Sequence, residues 1–108
     1  MNIDALILLV AAHFLGDFAF QSDWMIKLKG TSWEINGYHA LTYAATLYVV
    51  AYLGNLGLPM WFFLGILLSH FLIDPLKAKY KVIKHIWLDQ ILHFSVIYLL
   101  FALSQGLL

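Results

Sequence analysis

The chain has 108 residues, of which 63% are hydrophobic, 17% aromatic and only 11% charged, and its formal net charge is zero. Soluble domains usually contain about 45–50% apolar residues, and a domain of this size cannot bury so large an excess. The composition therefore excludes an ordinary soluble domain and predicts an integral membrane protein. Cysteine is absent, which excludes disulfides and thiolate metal ligands.

Four apolar segments follow one another along the chain. They run approximately over residues 3–21, 38–53, 59–74 and 86–104. Each approaches the roughly 20 residues that a helix needs to cross a bilayer. We therefore predict an all-α membrane protein, a four-transmembrane-helix bundle that forms a single integral membrane domain over residues 1–108.

The distribution of basic residues predicts the orientation of these segments. All six basic residues are lysines, and they lie between the first and second segments and between the third and fourth. The connection over residues 54–59 carries no charge. Because cytoplasmic loops are enriched in Lys and Arg, we expect the lysine-rich loops in the cytoplasm and both termini outside.

Two near-identical pentapeptides indicate an internal repeat. HFLGD occupies residues 13–17 and HFLID residues 70–74, and each is followed by a lysine-bearing loop and a returning helix. We predict two parallel helix-pair repeats, over about residues 3–53 and 59–106. The i, i+4 spacing places each His and Asp on one helix face, with Cβ atoms about 5–6 Å apart. Ionisable residues are costly in hydrocarbon, so such a pair indicates a functional site.

Seven ionisable residues are predicted to lie at one depth, in the cytoplasmic leaflet. They are His13, Asp17, His39, His70, Asp74, Asp89 and His93. The predicted outer leaflet contains almost no ionisable residue. This clustering indicates one site rather than scattered polar contacts between helices.

Histidines and carboxylates around a bundle axis are typical of metal sites built between facing helices. We predict two histidines and one aspartate from each repeat as metal ligands. They are His13, Asp17 and His39 from the first repeat, and His70, Asp74 and His93 from the second. The set suits a divalent ion, with Zn²⁺ favoured and Fe or Mn as alternatives, and it does not distinguish one ion from two.

Three further residues are assigned supporting roles. Asp89 is predicted to be catalytic as a general base, and the alternatives are that it bridges two metal ions or orients His93 from outside the ligand set. Gln21 and Lys77 are candidate substrate-binding residues, with Lys77 facing an anionic head group. The alternatives are that Gln21 caps the helix interface and that Lys77 is an interfacial lysine extended toward the head groups.

The motif order resembles a known family. Its blocks are HFLGDFxxQ at residues 13–21, Met25 and Lys27, His39, HFLIDxxK at residues 70–77 and DQxxH at residues 89–93. Together they resemble the bacterial and phage membrane family catalogued as domain of unknown function 3307. The chain is also similar in style to small membrane-bound metal-dependent hydrolases. These resemblances imply a hydrolase in the bacterial inner membrane.

Three classes of function stay open from the sequence. The leading hypothesis is a metal-dependent hydrolase acting on a lipid or a lipid-linked phosphoester at the cytoplasmic leaflet. The others are a proton or metal-ion transporter or channel that uses the same His/Asp cluster, and a non-catalytic membrane interaction protein. Membrane lipids are the expected partners, a homo-oligomer is left open, and nucleic acid is not expected because lysine-only loops beside a membrane suit anionic lipids.

Overall fold

The computed structural model describes residues 3–19, 32–78 and 85–106. Within these ranges the helices are α1 (Ile3–Phe14), α2 (Trp33–Leu53), α3 (Met60–Ala78) and α4 (Ile86–Ser104). α1 continues directly into a short π-helical segment, Leu15–Ala19. The prediction of an all-helical fold with four helices is confirmed.

The ends of α2 follow from local sequence. Ser32 is the N-cap, and its hydroxyl accepts a hydrogen bond from the backbone N–H of Ile35. At the other end the chain turns at Gly54, and Asn55 follows with a φ of 54°. Asn tolerates this left-handed conformation better than most residues, so α2 ends where the sequence permits a sharp turn.

α3 contains Pro75, and a proline disfavours the helical conformation of the residue before it, here Asp74. The helix instead continues to Ala78. Proline has no N–H and leaves the carbonyl four residues earlier, that of Phe71, without its helical donor. The side-chain amide of Asn36 on α2 donates to the Phe71 carbonyl oxygen at 3.0 Å. Asn36 thus satisfies the carbonyl that Pro75 leaves open.

Each described helix packs against two others, in the closed order α1–α2–α3–α4–α1. The interior of this arrangement has an apolar half and a polar half. The apolar half combines the start of α1, the end of α2, the start of α3 and the end of α4, and includes Leu9, Leu47, Phe62, Ile66 and Phe101. The opposite half contains the buried polar residues. Because successive helices run in alternating directions, these residues lie together at one end of the molecule.

The outer surface of the described helices is strongly apolar. Twenty-two large hydrophobic side chains are exposed, whereas nine polar or charged residues are buried. Buried ionisable residues and extensive exposed apolar surface are both uncommon in a water-soluble protein. Extensive exposed apolar surface is typical of sites that contact lipid or a protein partner.

One described helix is long and apolar enough to cross a membrane, over Trp87–Ser104. Only 28% of that window is buried inside the protein, so the helix is not a buried core helix. The apolar part of α3, Met60–Pro75, is shorter than the length used for a candidate span. By length and composition the described residues thus contain one candidate span, and the four-span topology and the repeats stay predictions.

Candidate metal centre

The seven ionisable residues singled out in the sequence are all buried in the polar half. None has more than 4% of its surface exposed. They come from the end of α1 and the π-helical segment after it, the first turns of α2, the last turns of α3 and the first turns of α4. These are the parts of the helices that form the polar half of the interior. Residues up to 80 positions apart in sequence therefore lie close together in space.

Four of them form a compact group, Asp17, His39, His70 and Asp74, with one potential ligand atom from each within 4.8 Å of the others. The Nε2 atoms of His39 and His70 are 2.9 Å apart. Asp17 Oδ1 lies 3.1 Å from His39 Nε2 and 3.6 Å from His70 Nε2. Asp74 Oδ2 lies 3.9 Å from His39 Nε2.

This geometry suits a small divalent cation. Four tetrahedral ligands at about 2.0–2.1 Å from Zn²⁺ lie about 3.3 Å from one another, close to the separations around Asp17, His39 and His70. An imidazole nitrogen carries at most one hydrogen, so a single hydrogen on His39 Nε2 cannot serve both Asp17 and His70. A cation between them would accept electron pairs from all three atoms.

A second group consists of Asp17, Asp89 and His93, whose potential ligand atoms also lie within 4.8 Å of one another. His93 Nε2 is 3.3 Å from Asp89 Oδ1. The ring of His93 lies beside that of His70, with centroids 4.6 Å apart. The two groups are therefore adjacent, and Asp17 belongs to both.

The position of Asp17 depends on the π-helical segment Leu15–Ala19. Segments of this kind are often found at functional sites, because the wider turn re-aims a side chain. Gly16 permits the segment to approach α2 closely: a Cβ at this position would lie 3.1 Å from the Tyr43 Cα. The absence of a side chain at Gly16 thus lets Asp17 reach the histidines of α2 and α3.

The sequence model of DUF3307, a family described as proteins of unknown function, matches residues 5–107. The chain belongs to this family. No curated protein and no solved structure matches it. The resemblance predicted from the motifs is therefore confirmed, and membership of DUF3307 brings no known activity with it.

In this DUF3307 protein a series of directional hydrogen bonds supports the carboxylate of Asp17, which both groups share. Gln90 Oε1 can only accept, so His13 Nε2, 2.6 Å away, donates to it. His13 Nδ1 then accepts from the Tyr43 hydroxyl at 2.5 Å. The Gln90 amide donates to Asp89 Oδ2 at 3.1 Å and to Asp17 Oδ2 at 3.4 Å. Every donor in this series of hydrogen bonds has an acceptor when His13 is neutral and carries its hydrogen on Nε2.

His13 lies beside the two groups rather than within them. Both of its ring nitrogens are within hydrogen-bond distance of Tyr43 or Gln90. Its distance from Asp17 Oδ2 is 4.0 Å. Its role as a ligand stays a prediction, and the contacts in the structure are those of a residue that positions Gln90.

Tyr43 and Gln90 were not among the predicted site residues. Tyr43 lies one helical turn after His39 and stacks on the His70 ring, with centroids 4.0 Å apart. Gln90 directly follows Asp89 and precedes His93 by three residues. Their spacing from these residues was a usable signal, because i, i+3 and i, i+4 positions share a helix face.

The side chains of the two predicted substrate-binding residues lie outside the described part of the structure. Gln21 is outside the described residues, and Lys77 lies in the last turn of α3, where side-chain positions are not described. Their roles stay predictions.

Proposed function

We propose that this DUF3307 protein is a membrane-embedded metal-binding protein that acts as a metal-dependent hydrolase on a lipid or a lipid-linked phosphoester. The observation that carries the proposal is the buried convergence of Asp17, His39, His70 and Asp74 within 4.8 Å. Burying so many ionisable groups without a compensating ion is costly. A divalent cation would remove this cost.

The membrane part of the proposal rests on the exposed apolar side chains and the buried ionisable ones. α2 has 21 residues and α3 and α4 have 19 each. At 1.5 Å per residue these helices are about 28–32 Å long, which matches a hydrocarbon core of about 30 Å. Four spans with the lysine-rich loops in the cytoplasm form the topology that we propose.

The hydrolytic part rests on the donor set. A bound divalent ion would lower the pKa of water toward neutrality and polarise the scissile bond. Asp89 would serve beside this ion as the general base or, alternatively, as a further ligand next to His93, because its Oδ1 lies 3.3 Å from His93 Nε2. The outer faces of the helices are apolar, which favours a substrate that approaches from the lipid phase.

Transport by the same residues has less support. A conduction path would have to pass through the apolar half of the interior. Among the described residues that half contains Leu9, Leu47, Phe62 and Phe101, each at most 1% exposed. We therefore rank transport below hydrolysis.

Metal binding is tested on the full chain purified in a mild detergent. We expect bound Zn²⁺, Fe or Mn in elemental analysis, and a loss of affinity above 100-fold in His39→Ala, because removal of even an outer-shell residue costs about 10–100-fold. His85→Ala is the matched control, since His85 is exposed at the start of α4. Wild-type protein that binds no divalent ion, or equal binding by both variants, would refute the metal site.

Hydrolysis is tested separately with phospholipids and lipid-linked diphosphates in mixed micelles. We expect release of phosphate or a head group by metal-loaded wild type, and loss of this release in His39→Ala but not in His85→Ala. Metal binding with no turnover of any of these phosphoesters, together with ion flux in proteoliposomes, would favour the transporter alternative.

A further inference from the structure

Asp17 is the only residue that the two groups of potential ligands share within the described residues. Its two carboxylate oxygens have different surroundings. Oδ1 lies near the Nε2 atoms of His39 and His70, whereas Oδ2 lies 3.4 Å from the Gln90 amide nitrogen. Because Asp17 belongs to both groups of potential ligands, its carboxylate can serve as a bridging ligand between them.

The two sets differ in the number of side chains that they supply. Asp17, His39, His70 and Asp74 form the first set, and Asp17, Asp89 and His93 form the second. Zinc sites with four protein ligands are closed, whereas catalytic sites keep three protein ligands and one open position. The first set thus has the composition of a closed site, and the second that of an open one.

A further observation concerns His93 itself. Its side chain is only 3% exposed. Within the described residues its Nε2 atom has no hydrogen-bond partner. A buried imidazole nitrogen usually has such a partner, and its absence here indicates a position that a ligand completes. Asp89 Oδ1 lies 3.3 Å from this nitrogen, at ion-pair distance but without the geometry of a hydrogen bond.

We infer that the protein binds two divalent cations bridged by Asp17, and that the cation held by Asp89 and His93 is the reactive one. The inference rests on the proposed metal binding and adds the number of ions, the bridging ligand and the division of roles. In two-metal hydrolytic sites, ions about 3.5–4 Å apart stabilise both the attacking and the leaving oxygen. The chemistry therefore points to phosphoester substrates.

Zn²⁺ stoichiometry tests the inference in the full chain. We expect two ions per chain in wild type, one in His93→Ala, one or none in His39→Ala, and none in Asp17→Asn, because Asp17 serves both ions. Wild type that binds a single ion, His93→Ala that still binds two, or Asp17→Asn that keeps one would overturn it. Circular dichroism and gel filtration identify variants that have not folded.

A second measurement needs no variant. Wild-type protein loaded with Mn²⁺ is expected to give the electron paramagnetic resonance spectrum of an exchange-coupled pair, whereas two isolated ions or one ion give uncoupled signals. An uncoupled spectrum at saturating Mn²⁺ would overturn the bridged pair while leaving a mononuclear site intact. Wild type that binds neither Zn²⁺ nor Mn²⁺ would instead refute the proposed function itself.

Discussion

Gln90 joins two buried carboxylates that carry the same charge when ionised. Its amide nitrogen lies within 3.4 Å of both Asp17 and Asp89, so each of its two hydrogens can serve one of them. An amide is the only uncharged side-chain group with two such donors and an acceptor, and the acceptor here faces His13. The orientation of Gln90 is therefore set by its neighbours on three sides.

The Tyr43 hydroxyl is the donor at the other end of this series of hydrogen bonds, where it donates to His13 Nδ1. Its removal gives a prediction at the scale of single residues. Tyr43→Phe leaves His13 Nδ1 buried without its donor, so we expect a loss of about 1–3 kcal/mol in the free energy of unfolding. We also expect nitrogen NMR of the wild-type His13 ring to show hydrogen on Nε2 only.

Tyr48→Phe is the control for this prediction, because Tyr48 lies on the same helix and is 44% exposed. It should leave the unfolding free energy within about 0.5 kcal/mol of wild type, as surface substitutions usually do. Equal effects of the two variants, or a His13 ring with hydrogen on Nδ1, would contradict the proposed direction of the hydrogen bonds from Tyr43 through His13 to Gln90.

At the scale of the elements, the close approach of the π-helical segment to α2 determines where Asp17 lies. In Gly16→Ala the new Cβ would lie 3.1 Å from both the Cα and the Cδ2 of Tyr43. The segment must then move away from α2. We expect a loss of about 1–3 kcal/mol from overpacking, together with weaker metal binding, measured by thermal unfolding and by Zn²⁺ titration.

Gly37→Ala is the matched control on α2. Within the described residues, the only neighbour that a Cβ would contact there is Phe71, at an ordinary 3.7 Å. Since Gly costs about 0.5–1 kcal/mol relative to Ala inside a helix, Gly37→Ala should stabilise slightly and leave Zn²⁺ affinity unchanged. Unchanged Zn²⁺ affinity in Gly16→Ala as well would show that the approach of the segment does not position Asp17.

The junction between α2 and α3 gives a second prediction at this scale. Asn36→Ala removes the donor to the Phe71 carbonyl and should cost about 1–3 kcal/mol. In a Pro75→Ala background residue 75 has its own N–H for that carbonyl, so the cost of Asn36→Ala should fall. A double-mutant cycle by denaturant unfolding measures this coupling, and additive effects would contradict it.

At the scale of the whole molecule, buried polar residues and exposed apolar ones occur together in all four helices. Leu53 is 77% exposed and Trp87 is 61% exposed, while His39 and Asp89 on the same two helices are fully buried. A polar interior beneath an apolar exterior is expected for helices in lipid, where ionisable groups face the interior of the bundle. The same arrangement encloses the candidate site at one end.

The topology can be tested because the sequence contains no cysteine. Met60, at the start of α3, and His85, just before α4, are exposed positions at opposite ends of the proposed spans. We expect Met60→Cys to react with an impermeant maleimide in intact spheroplasts, and His85→Cys to react only after permeabilisation. Labelling of both positions from the same side would refute the four-span topology.

The sequence by itself was enough to predict the helices, the family and the small set of ionisable residues that contains the candidate site. These features are local, since apolar runs predict helices and the i, i+4 spacing places a His and an Asp on one face. Only the tertiary structure decided that Asp17 lies between two groups, that His39 meets His70, and that Tyr43 and Gln90 support them. Such pairings depend on how far each helix is rotated and how closely it approaches its neighbour. Contacts such as Gly16 on Tyr43 set that approach between residues distant in sequence, which no local pattern records.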